Sequence, residues 1–246
     1  MTEWNEKINL TAITGEYDVA TKHFLDCRSI FDYVDFADGA KIIDVGCGAG
    51  FPSVVMGITN RNLKITMLDS LNKRINFLNE VISELNLENL CAVHSRAEDL
   101  GRAKEHREKY DFAVSRAVAN LASLTELCMP FVKVGGYFVA FKGPNVSEEI
   151  ENAENAIKLL GGKIERVENY EIPTTDLKHN LVFIKKISAV SSRFPPFCCN
   201  FTNGFSSIFC KSMILSIHRL LLQMRSAFYG KIFFVSKEQG YKKQCG

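Results

Sequence analysis

The stretch KIIDVGCGAGFPS, residues 41–53, decides how this 246-residue chain is read. Lys41–Val45 is an apolar run carrying Asp44, as expected of a strand that is covered on both faces in a parallel sheet. Gly46, Gly48 and Gly50 then stand at alternate positions. Pro52 sits where a helix can begin, because its missing N–H is no loss in a first turn. A glycine-rich turn between the carboxyl end of a strand and a helix is where open α/β sheets bind nucleotides. Glycine is required there because a Cβ would hold the ligand away from the backbone.

Outward from this turn, strands and helices alternate. Lys64–Leu68 reads as the second strand. Ser70 follows as an N-cap for a helix whose Ile75, Leu78, Val81, Ile82 and Leu85 recur at helical spacing. Leu90–His94 and Asp111–Ser115 are the third and fourth strands, and a helix runs through Leu121–Met129. A turn at Val134-Gly135-Gly136 leads into a fifth strand, Tyr137–Lys142. Ser147–Leu160 is a helix stopped by Gly161-Gly162. Lys163–Ile172 and Asn180–Ile187 flank a turn too short for a crossover helix, so they should pair antiparallel. The pattern predicts an α/β fold with a doubly wound sheet, mostly parallel with one antiparallel strand.

Charge divides the chain. Residues 1–186 carry 22 Lys and Arg against 27 Asp and Glu, a net of −5, whereas residues 187–246 carry 8 against 1, a net of +7. The second part also holds eight of the 18 Phe and four of the eight Cys. The expected division is a domain at 1–187 and a basic, poorly ordered tail at 188–246 whose composition looks like translation in a shifted frame. Cys198, Cys199, Cys210 and His218 fit no usual zinc spacing, while Met213–Met224 has the pattern of a membrane or partner helix. No metal site is expected. Met1 leads into TEWNEKIN without an apolar leader, and no stretch reaches the roughly 18 apolar residues of a membrane span. The cysteines form no CxxC pair, so a secreted disulfide framework is disfavoured and a cytoplasmic protein expected.

The glycines do not spell a dinucleotide fingerprint. From Gly46 the chain reads G-C-G-A-G-F, with Phe51 in place of the third glycine of GxGxxG; from Gly48, Ser53 takes that place. The pattern is D-x-G-x-G-x-G, which suits a ligand without a pyrophosphate, S-adenosylmethionine. Asp69 ends the second strand 19 residues after Gly50, where a carboxylate can accept from a ribose diol. Asp69-Ser70 can also be read as no more than a helix start.

Trp4-Asn5, Ile8-Asn9-Leu10-Thr11, His23-Phe24-Leu25-Asp26, DVGCGAGFPS, LDSLNKR, SRAED, SRAVA and FKG occur in this order. Together they resemble the bacterial small-subunit ribosomal RNA guanine-N7 methyltransferases, also known as glucose-inhibited division protein B, over residues 3–187. The resemblance implies a class I (Rossmann-like) methyltransferase fold with a short N-terminal helical segment. It also implies methylation of one guanine N7 in 16S rRNA, with the rRNA or the small ribosomal subunit as partner. It carries Asp44, Gly46, Gly48, Gly50 and Phe51 onto the cofactor loop and Asp69 with Ser70 onto the ribose contact. Ala97 and Glu98 fall beside the adenine, and Arg116 at the cofactor–substrate junction. Each has a plainer reading: Phe51 as sheet packing, Glu98 as a solvated helix-start acid, Arg116 as an ion-pair partner.

Guanine N7 has an in-plane lone pair and no proton to lose, so this chemistry needs no general base, only alignment and exclusion of water. Arg116 and Lys142, both ending strands, are the catalytic candidates, orienting guanine O6 or a phosphate. His23 and Asp26 are expected to tie the N-terminal segment to the domain. Two rival functions share the fold. A small-molecule methyltransferase calls for a lid or pocket insertion between core strands, which the spacing lacks. A nonenzymatic nucleoside-binding module is the other. The acidic front domain counts against RNA, because phosphate contacts supply much of RNA affinity. Lys73, Arg74, Arg96, Arg116 and Lys142 remain as a local basic patch. A monomer is expected.

Overall fold

A computed structural model describes residues 4–5, 10–13 and 15–194; they belong to one compact unit, Met1–Phe197. The tail candidates, namely the Cys198, Cys199, Cys210 and His218 group and the Met213–Met224 segment, lie outside the described residues.

A helical segment comes first: an α turn Glu16–Val19, a π-helical stretch Ala20–Leu25, an α turn Asp26–Arg28 and a 3-10 turn Ser29–Asp32. Then follow β1 (Lys41–Val45), α1 (Ser53–Thr59), β2 (Lys64–Asp69), α2 (Asn72–Glu84), β3 (Leu90–His94), α3 (Ala97–Leu100) and β4 (Tyr110–Arg116). The chain continues with α4 (Leu121–Cys128), β5 (Val132–Lys142), α5 (Ser147–Leu159), β6 (Gly162–Glu171) and β7 (Lys178–Lys186). The seven strands lie in the order β3-β2-β1-β4-β5-β7-β6. β1 to β5 are parallel; β7 pairs antiparallel with both β5 and β6. This is the doubly wound sheet the alternation predicts, and its strand order reverses beside β1, at the glycine turn.

Neighbouring strand residues feed opposite layers. Ile42, Val139 and Phe183 pack on one face with Met56 and Leu78, whereas Ile43, Phe138, Ala140 and Ile184 pack on the other with Leu124 and Ile157. Both faces are dry, which explains why the strands read as continuous apolar runs.

Three local readings change. Ser70 does not cap α2; the helix starts at Asn72, and Asp69 Oδ1 accepts the Leu71 N–H at 2.9 Å instead. The Gly135-Gly136 turn lies inside β5, which begins at Val132, with a register shift against β4 between Tyr110 and Phe112. The packed chain also runs past Ile187 to Phe194. Val190 is buried, its N–H donates to Glu108 Oε1 at 2.9 Å, and Arg107 donates to the carbonyls of Val190, Ser191 and Phe194 at 2.7–3.0 Å. Glu108 in turn pairs with the buried Lys186, 3.1 Å away. Residues 188–194 are therefore held to the sheet, and the compact part exceeds the sequence boundary.

Candidate functional site

The turn after β1 is fixed from both sides by carboxylates. Asp44, fully buried beneath it, accepts from the Ser53 hydroxyl at 2.6 Å and so pins the start of α1. Burial pushes its carboxyl up to about 7. Asp69, at the end of β2, accepts the Gly48 N–H at 3.0 Å. Gly46, Gly48 and Gly50 all have left-handed φ, at +76°, +57° and +90°, yet their surroundings differ. A Cβ on Gly50 would come within 2.5 Å of Val54 Cγ2, and one on Gly46 within 2.8 Å of Val118 Cγ2. A Cβ on Gly48 would meet only Gly46 O, at 3.9 Å. Gly46 and Gly50 are bare for packing; Gly48 is bare toward open space.

That space is a cleft of about 620 Å³ at the carboxyl edge of β1, β2 and β4. Of the residues singled out in the sequence, Gly46, Gly48, Phe51, Asp69, Ser70, Ala97, Glu98 and Arg116 line it. Asp44 and Gly50 do not; they support the loop from below. Lys142 does not either. Its ammonium donates to Ala119 O at 2.8 Å and pairs with Glu149 at 2.6 Å, while Glu149 also accepts the Leu121 N–H at 3.0 Å. Lys142 thus staples the loop after β4 to α4 and α5, outside the cleft in which it was expected to face guanine.

Arg116 stands on the cleft wall but is fully engaged. Its Nε lies 3.0 Å from Asp26 Oδ2, and its terminal nitrogens reach Lys22 O at 2.7 Å and His23 Nδ1 at 3.0 Å. Asp26, fully buried, also accepts from Tyr170 Oη at 2.6 Å and His179 Nδ1 at 2.9 Å. These partners hold its carboxyl below the usual range despite burial. The hub joins the N-terminal segment, the end of β4 and the β6–β7 hairpin. His23 stacks on Phe51, ring centres 4.7 Å apart, so the segment walls the cleft as well as anchoring to the domain. Sequence reasoning left Thr11, His23, Ser95 and Val118 unassigned to the cleft that they line. The available signals were the motifs themselves: INLT for Thr11, HFLD for His23, SRAED for Ser95 and SRAVA for Val118.

The geometry separates ligand classes. A pyrophosphate needs spare backbone N–H donors. Here the N–H groups of Gly46 and Cys47 both go to Leu68 O, at 2.8 and 3.1 Å, and that of Gly50 to Cys47 O at 2.8 Å. The Gly48 N–H is taken by Asp69. Four of the loop's N–H groups are therefore taken, which leaves few donors for a pyrophosphate and fits a nucleoside with an uncharged or cationic arm. Asp69 has ribose capacity. A carboxylate takes about four hydrogen bonds; Leu71, Gly48 and Arg74 fill three positions, and Arg74 is a side chain that can yield its place. Among the described residues no group of three or more His, Cys, Asp or Glu could hold a metal ion. None of the helices described is long and apolar enough to cross a membrane.

Comparison with known proteins agrees with this geometry. The family model described as rRNA small subunit methyltransferase G (GidB) matches residues 1–182. A protein of Clostridium botulinum named ribosomal RNA small subunit methyltransferase G is 54% identical over 193 residues, 78% of this chain and 81% of its own. One of the same name from Clostridium perfringens is 53% identical over the same shares. Among solved structures, a SAM-dependent methyltransferase from Aquifex aeolicus superposes with a TM-score of 0.51 at 17% identity, covering 69% of this chain and 93% of that one. M. jannaschii TYW2 in complex with AdoMet gives 0.52 at 14% identity, covering 67% and 76%. These two structures establish the fold. The family model and the clostridial relatives go further: the chain belongs to the rRNA small subunit methyltransferase G family.

Proposed function

We propose that this protein transfers the methyl group of S-adenosylmethionine to N7 of a guanine in the 16S rRNA of the small ribosomal subunit, acting as a cytoplasmic monomer. The observation that carries the reading is the cleft built by the Gly46–Gly50 turn and Asp69, in a chain of this family. Gly46, Gly48 and Phe51 supply the surface for the cofactor's amino-acid arm, Asp69 the acceptor for its ribose, and Ala97 with Glu98 the adenine side. When bound, the cofactor supplies an electrophilic methyl group on a cationic sulfonium.

The chain's own residues have a limited task. Guanine N7 gives up no proton, so no side chain has to act as a base. What remains is to hold N7 in line and keep water out, which positioning alone makes worth several orders of magnitude in rate. Arg116, fixed by Asp26 at the cleft wall, orients His23 and with it the segment that walls the cleft; Lys142 supports the loop behind it. We assign residues beyond Phe197 no part in cofactor binding. Incubation with labelled S-adenosylmethionine and unmethylated small subunits, followed by mapping of the modified nucleotide, tests the reading. Label on N7 of a single guanine is expected; transfer to a small molecule or to no RNA refutes it.

A further inference from the structure

Asp69 ends β2 and Arg116 ends β4, on opposite sides of β1. The cleft wall on the Arg116 side carries a run of hydrogen bonds whose direction one cation fixes. A guanidinium is always protonated and accepts nothing. Both terminal nitrogens of Arg116 lie 3.0 Å from His23 Nδ1, so Nδ1 accepts and the imidazole proton sits on Nε2. Burial, followed by the charge of Arg116, lowers the His23 pKa to about 4, so the ring is neutral near pH 7. Nε2–H therefore donates to Thr11 Oγ1, 2.9 Å away. The Ile13 N–H donates to the same oxygen at 3.1 Å. A hydroxyl has two lone pairs, and both are used. Thr11 is left with its own proton, which no group among the described residues accepts, and Thr11 lines the cleft together with His23 and Arg116.

We infer that Thr11 donates its hydroxyl proton to guanine O6 and so selects the base that is methylated, an inference resting on the transfer to guanine N7 proposed above. N7 and O6 are adjacent acceptors on one edge of guanine, whereas adenine presents an amino donor in the place of O6. A hydroxyl whose lone pairs were free could turn round and accept from that amino group. Thr11 cannot, because His23 and the Ile13 N–H hold both. Selection follows from an ordered proton chain beginning at Arg116.

The test uses the full chain and small subunits reconstituted on rRNA with 2-aminopurine at the methylated position, a base that keeps N7 and lacks O6. The protein should methylate guanine subunits about tenfold faster than 2-aminopurine subunits, the worth of one hydrogen bond. Thr11→Val should lose about that factor in kcat on guanine and no longer distinguish the two subunits. Thr11→Ser, which keeps the hydroxyl, should restore both. S-adenosylmethionine affinity should stay within twofold throughout. A Thr11→Val enzyme that discriminates as well as the parent overturns the inference. So does one that loses cofactor affinity in place of turnover, since the hydroxyl would then serve the cofactor carboxylate. If the parent protein methylates N7 on neither substrate, the function proposed above fails with it.

Discussion

Gly48→Ala separates the two demands that a glycine loop can meet. The residue has φ +57°, so any L side chain costs about 1–2 kcal/mol in backbone strain. For a domain of this size that is about 2–8 °C in Tm. The added methyl meets no protein atom closer than Gly46 O at 3.9 Å, so no packing cost adds to it. In the cleft the same methyl occupies space assigned to the cofactor, and such an overlap costs about 1–3 kcal/mol, or roughly 5- to 150-fold in affinity. Gly39→Ala is the control. It has φ +74° and nothing within 4 Å of its Cβ, and it does not line the cleft. It should show the same fall in Tm with unchanged affinity. Gly50→Ala, with Val54 at 2.5 Å and Leu78 at 2.9 Å, should destabilise far more than either. Thermal denaturation and calorimetry with S-adenosylmethionine on the same samples read both quantities. If Gly48→Ala binds the cofactor as the parent does, the turn is not its cradle.

Truncation after Phe197 should leave stability and cofactor affinity unchanged, whereas truncation after Ile187 should cost about 2 kcal/mol for the lost burial of Val190 alone; urea melts of the two chains decide. Lys142→Met, which removes the contacts to Ala119 and Glu149, should lower Tm without changing the salt dependence of RNA binding, and a slope reduced by about one unit would show a phosphate contact instead. Asp44 rises from 3.8 to about 7 on folding, so its contribution is intact below pH 4 and is lost as pH rises toward 7, by up to about 4 kcal/mol. Asp44→Asn should therefore gain stability relative to the parent between pH 4 and 7, and parallel stability–pH curves would refute the shift. Asp26→Asn should weaken S-adenosylmethionine more than S-adenosylhomocysteine, which lacks the sulfonium charge; equal losses in titration calorimetry would count against an electrostatic role.

Steric requirements were legible in the sequence because they depend on few atoms. The alternating glycines and the acid at Asp69 mark the cleft from local pattern alone, and the dry strands of β1 and β5 mark a sheet covered on both faces. Lys142 was not legible. A lysine at a strand's carboxyl end can reach into the cleft or fold back, and here the carbonyl of Ala119 and the acid of Glu149 draw it back. That loop carries Ala117 at φ +56°, a conformation no spacing rule announces. At Asp69-Ser70 the pattern pointed to Ser70 as a cap, whereas it is Asp69 that accepts the Leu71 N–H just before the helix and, from the sheet edge, the N–H of Gly48. Thr11 and His23 lie more than ninety residues from Arg116 in sequence. Their joint presence in one wall is a product of the tertiary fold.

The same wall resolves an electrostatic difficulty. A sulfonium and a guanidinium in one cleft repel, and in a region of low dielectric that repulsion would oppose cofactor binding. Arg116 does not present a free charge, because Asp26 lies 3.0 Å from its Nε. His23, which a carboxylate neighbour would ordinarily encourage to protonate, is held neutral by burial and by Arg116. Tyr170 and His179 complete the coordination of Asp26 from the hairpin, so the compensating carboxylate cannot move away when the cofactor enters. The wall therefore carries fixed donors with little net charge. That arrangement can aim hydrogen bonds at an acceptor edge of a base without competing with the cation that delivers the methyl group.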